Sequence, residues 1–90
     1  MSGVSIKLFS AEWCPNCKPF KKSLDDAGVK YDLYDVDDES VHNVVNHYNV
    51  RGLPTTIIEL DGEVIRQIVG LQPVSEVTKY VKKEISNEVE

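Results

Sequence analysis

Apolar, β-branched residues alternate with polar ones from Val4 to Phe9, VSIKLF, a period of two that sets one side of an extended strand against a core. The rhythm changes after EWCPNC. Cys17, Phe20, Leu24 and Ala27 recur at helical spacing, Lys21, Lys22, Asp25 and Asp26 fill the opposite side, and Gly28 supplies a stop, so an amphipathic helix is predicted with Cys17 on its buried stripe. VKYDLYDV, Val29 to Val36, reads as a second strand, and DDES offers N-cap side chains to a helix with Val41, Val44, Val45 and Tyr48 on one face. RGLP breaks that pattern. PTTIIEL, the two-residue turn Asp61-Gly62 and EVIRQIV then predict an antiparallel hairpin over Thr55 to Val69. A last helix from near Pro73 turns Val74, Val77, Val81 and Ile85 inward, and the polar end SNEVE is expected to fray.

The order is βαβαββα, an α/β chain. Strands joined through a helix lie parallel and hairpin strands antiparallel, which predicts a four-stranded mixed sheet with three helices on its faces. Ninety residues suffice for one domain, with its core over about residues 4–85. The formal charge of -5 and scattered lysines offer no basic surface to nucleic acid or an anionic membrane. No apolar run reaches the roughly 18 residues that span a bilayer, and the N-terminus lacks a signal-peptide pattern, so a cytoplasmic protein is expected.

The chemistry concentrates in Glu12-Trp13-Cys14-Pro15-Asn16-Cys17, where the only two cysteines stand two residues apart. As a structural staple the pair would do little, because closing so short a loop contributes only about 2 kcal/mol. As half of a zinc site it would need His42 and His47, which follow at the wrong spacing and stand about 140° apart around a helix. No metal is expected, and both histidines read as surface residues. A redox pair fits best, since in a reducing compartment a Cys pair is usually catalytic or metal-binding and the zinc spacing fails. With Cys14 as N-cap and Pro15 as first helical residue, the unpaired amides and the helix dipole would favour a thiolate at Cys14. Cys17, one turn on and buried, would resolve the mixed disulfide formed at Cys14. Pro19 predicts a kink or an irregular first turn. Trp13 is expected to flank the exposed nucleophile and meet partners.

FSAEWCPNCKPF resembles the active-site segment of the thioredoxin and glutaredoxin superfamily. YNVRGLPT (Tyr48 to Thr55) resembles the thioredoxin segment that holds a cis-proline, and VGLQ (Val69 to Gln72) the glycine-containing loop beside it. The resemblance runs from Val4 to about Val81 and implies a thioredoxin fold, a cis peptide before Pro54, and a substrate surface of Trp13, Pro15, Leu53, Pro54, Gly70 and Leu71 beside the catalytic Cys14 and Cys17. It further implies a reductant of protein disulfides, with ribonucleotide reductase as one substrate class, the alternatives being a glutathione-dependent glutaredoxin or a redox-inactive or metal-binding module on the same fold. No feature of the sequence argues for an oligomer, so a monomer is expected. No cofactor would be bound, and electrons would come from NADPH through a thioredoxin reductase-type flavoenzyme, with glutathione as the alternative.

The chain departs from both parent patterns. Thioredoxins carry a buried aspartate six positions before the first cysteine and a lysine that accompanies it, and Leu8 and Leu33 stand at those places. Proton transfer must then use solvent or another group, with Asp35 and Asp37 as candidates. Glutaredoxins carry a double-glycine segment with an acidic cap, whereas Gly70 is followed by Leu71 and Gln72. Weak glutathione binding is expected.

Overall fold

The computed structural model describes residues 3–81. Its strands are β1 (Val4–Ser10), β2 (Asp32–Asp35), β3 (Thr55–Leu60) and β4 (Glu63–Val69), its helices α1 (Cys17–Asp26) and α2 (His42–His47), with a 3-10 turn at Glu39–Val41 leading into α2. A further helix, α3, covers residues 75–81. The sheet order is β2-β1-β3-β4; β1 and β2 are parallel, and the pairs β1-β3 and β3-β4 are antiparallel. This is the expected mixed α/β sheet. Ile85 and the tail 86–90 lie outside the described residues, and among those described no helix is long and apolar enough to cross a membrane.

The period of two along β1 separates two packed faces. Ile6 and Leu8 point to one side, where with Ile58 and Ile68 they meet Phe20 and Leu24 of α1 and Val77 of α3. The other side carries Phe9, stacked on Tyr34 at 5.1 Å and tilted against Tyr48 at 6.1 Å. On that side Glu59 is buried, paired with Lys7 and accepting the Tyr48 hydroxyl at 2.8 Å. The hairpin turn is built from left-handed backbone, φ 52° at Asp61 and 88° at Gly62, the twist that matches two-residue connections between strands.

Three elements differ from the sequence reading. Strand β2 covers only Asp32–Asp35, because Val29 is drawn into the core as the chain leaves α1. Helix α1 starts at Cys17, with Asn16 instead of Cys14 at the N-cap. Pro19 explains the delay: it has no N–H to give the Pro15 carbonyl, so the bond from Phe20 N to Asn16 O, at 3.4 Å, opens the helical pattern. Ala27 is exposed as the C-cap instead of completing the buried stripe. At the second helix the expected cap sits one turn early: Asp38 caps the 3-10 turn, accepting from Ser40 N, and the Ser40 donors hold its carboxyl below the usual range, while α2 itself starts after Val41 with no side-chain cap.

Candidate functional site

At the carboxyl end of β1 the chain turns sharply, and Cys14 N donates to Ala11 O at 3.1 Å. That turn sets Cys14 just ahead of α1, while Cys17 is the helix's first residue, and the two form a disulfide with Cα atoms 5.4 Å apart. The expectation of an exposed Cys14 beside a buried Cys17 is corrected. Cys14 is 4% and Cys17 3% exposed, because the two form a separate small cluster with Ala11, against which Val36 and Leu53 pack. Cys14 also lacks the capping position, so the amides of the first turn do not wrap it as a true N-cap.

The other anticipated residues gather around this cluster to different degrees. Trp13 is 66% exposed, and its indole Nε1 donates to Asp37 Oδ2 at 2.7 Å, which fixes the ring beside the disulfide. Pro15 is exposed in the turn between the cysteines. Leu53 lies against the cysteines, and the Leu53-Pro54 peptide is cis. Pro54 itself is fully buried, and its carbonyl accepts from Gly70 N at 2.8 Å, so the VGLQ loop is tied directly to the proline segment. Gly70 takes φ 90°, a conformation costly for any side-chain-bearing residue. Leu71, beyond it, is 47% exposed.

Two features were not legible beforehand. Asp37 entered the sequence reading as a proton-transfer candidate, yet its carboxylate is occupied by the Trp13 indole across 24 positions of sequence. Val36 packs on the cysteines although it follows the end of β2. Neither carries a local signal, since both depend on how the loop after β2 passes the sulfurs. His42 and His47 are exposed on α2, and among the described residues no group of three or more His, Cys, Asp or Glu could hold a metal ion.

Leu8 and Leu33, at the positions where a buried acid and its lysine would stand, are register partners across β1 and β2. Leu8 is fully buried while Leu33 is 49% exposed. A pocket of about 220 Å³ opens beside Cys17, its lining including Glu12, Lys18, Lys21, Leu33 and Asp35.

Comparisons with known proteins agree with this architecture. Residues 3–83 match the family model described as Thioredoxin. A thioredoxin of Staphylococcus saprophyticus is 28% identical over 88 residues, covering 93% of this chain and 85% of that protein. A thioredoxin of Staphylococcus aureus matches to the same extent, 28% over 88 residues. Among solved structures, a mutant thioredoxin from Halobacterium salinarum superposes with a TM-score of 0.77 at 26% identity, over 89% of this chain and 73% of that one. The thioredoxin of Trypanosoma brucei brucei gives 0.77 at 25% identity, over 92% and 75%.

Proposed function

The chain belongs to the thioredoxin family and is a thiol-disulfide oxidoreductase, and from that premise we propose that it reduces disulfides of other proteins, Cys14 attacking and Cys17 resolving. The observation that carries this reading is the Cys14–Cys17 disulfide, seated at the end of β1 between the pinned, exposed Trp13 and Leu53.

In the reduced protein the Cys14 thiolate attacks one sulfur of a substrate disulfide. A Cys14–substrate bond forms, the substrate's S–S bond breaks, and the departing substrate sulfur takes up a proton. Cys17 then gives up its proton and attacks Cys14 Sγ. The Cys14–Cys17 bond forms, the mixed disulfide breaks, and the second substrate sulfur leaves as a thiol. Two electrons have passed from the dithiol to the substrate. Burial of both cysteines limits the access of small thiols to the mixed disulfide. Resolution from within the same turn is intramolecular and faster than attack from solution.

The substrate surface in this reading consists of Trp13, Pro15, Leu53, Pro54, Gly70 and Leu71. Leu53 offers its backbone to an extended segment of the substrate, as one strand adds to another, while Trp13 and Leu71 give exposed apolar area on either side. The protein works as a single-domain monomer in the cytoplasm without a bound cofactor. It is re-reduced by NADPH through a flavoprotein thioredoxin reductase, and ribonucleotide reductase is one class of substrate it would serve.

The test is NADPH consumption with insulin as the disulfide substrate, driven either by thioredoxin reductase or by glutathione with glutathione reductase. Turnover with the flavoenzyme, abolished in Cys14→Ser, is expected. Turnover with glutathione alone would make the chain a glutaredoxin in practice and overturn the assigned reductant.

A further inference from the structure

Cys17 must lose a proton each time it resolves a mixed disulfide and regain one each time the Cys14–Cys17 bond is reduced. Its surroundings are mostly apolar. Ala11, Val36 and Leu53 pack the cluster to which it belongs, and Leu8, fully buried on β1, has no group that carries a proton. Trp13 holds Asp37. The pocket beside Cys17 is the exception, since Glu12 from the turn after β1, Lys18 and Lys21 from α1, and Asp35 from β2 all line it. All four are exposed, so the pocket communicates with solvent. At about 220 Å³ it is roomy enough for several waters, each occupying about 30 Å³ in the liquid.

Resting on the resolving role assigned to Cys17, we propose that this pocket is the route by which the Cys17 sulfur exchanges its proton with solvent, with Asp35 as the relaying carboxylate and Glu12 assisting it. On resolution the proton passes from Cys17 Sγ through pocket water to Asp35 and on to bulk water, leaving the thiolate that attacks Cys14. On reduction of the disulfide the electron pair of the broken S–S bond stays on Cys17 Sγ, and the proton returns along the same path. Lys18 and Lys21 line the same pocket from the helix side, and their positive charge favours the transient thiolate. Asp35 acts through water and is a positioning residue for the proton.

Asp35 also accepts Asp37 N at Oδ1, at 2.9 Å, so Asp35→Asn retains an acceptor there and removes only the charge. The experiment follows the two steps separately by stopped flow. Mixed-disulfide formation is measured in a Cys17→Ser background, and resolution in the intact dithiol, each against pH with Lys18 and Lys21 unchanged. Asp35→Asn with Glu12→Gln should slow resolution at neutral pH by about a hundred-fold, the low end of what general acid-base groups supply. It should also change the pH profile of that step and leave Cys14 attack near the wild-type rate. Asp35→Glu should restore most of the resolution rate. Leu33→Trp, at an exposed position on the pocket lining, should slow the same step by obstructing the path. Wild-type resolution with an unaltered pH profile in the Asn/Gln variant would overturn the proposal. Absence of any mixed disulfide in the Cys17→Ser protein would instead overturn the functional reading beneath it.

Discussion

At the scale of single residues, what the sequence tells most clearly is chemistry that is local in the chain. CPNC announces a redox pair because four consecutive residues hold both sulfurs and the proline between them. The indole-to-Asp37 bond is invisible in the same text, since nothing near Trp13 marks its partner. The burial of Cys14 is hidden for a similar reason, as the cluster it shares with Ala11 and Cys17 is closed by Val36 and Leu53, distant in sequence. A second residue-scale surprise is Thr56, opposite Leu8 in the β1-β3 register. Its hydroxyl is fully buried and has no hydrogen-bond partner among the described residues. A buried polar group without a partner costs about 1–3 kcal/mol. Thr56→Val should therefore raise stability by about 1 kcal/mol, seen as an increase of roughly 4–8 °C in Tm. A fall in Tm would mean that the hydroxyl is satisfied in solution.

At the scale of elements, Lys7 of β1, Glu59 of β3 and Tyr48 just beyond α2 are bound in one partly buried network. Burial pushes the Glu59 carboxyl up, but the hydrogen bonds from Lys7 and Tyr48 outweigh it and leave the group below its ordinary 4.5. The hydrogen bond to Glu59 raises Lys7 above 10.5 and Tyr48 above 10.0. Glu59 thus contributes stability that is present above its unfolded value and lost as pH falls through the depressed folded one. Lys7 and Tyr48 contribute stability that is present below their unfolded values and lost as pH rises through the raised folded ones. Lys7→Met, which strands a carboxylate that is only 7% exposed, should cost about 3–5 kcal/mol, and Lys7→Met with Glu59→Leu should recover most of it. The difference between wild type and the double variant should stay flat from about pH 5 to 9 and change at both extremes. A difference independent of pH would show that the network adds no linkage. Element types and order were readable because periods of two and 3.6 are distinct. The ends were harder: the start of α1 depends on a missing donor at Pro19, and Val29 left the strand pattern for a core position that only the packed helix defines.

At the scale of the whole molecule, the alternation along β1 and β3 decides the architecture. One face of the sheet receives α1 and α3, and the other receives the aromatic group of Phe9, Tyr34 and Tyr48. The parallel crossover from β1 to β2 brings the loop carrying Val36 and Asp37 past the end of β1, and the antiparallel β3 starts at that same end with Leu53-Pro54 before it. Three separate chain segments therefore meet at the cysteines. This convergence could be anticipated from the βαβ and hairpin patterns, but not the pocket at Cys17, which exists only because β2, α1 and the turn after β1 leave a gap between them.

The central claim is that Cys14 and Cys17 divide attack and resolution, and trapping tests it most directly. Reduced Cys17→Ser and Cys14→Ser variants are mixed with insulin, quenched with acid and examined by mass spectrometry. A stable adduct through Cys14 in the first variant, with none in the second, is the predicted result. An adduct through Cys17 in Cys14→Ser, or undiminished insulin reduction by that variant, would contradict the account.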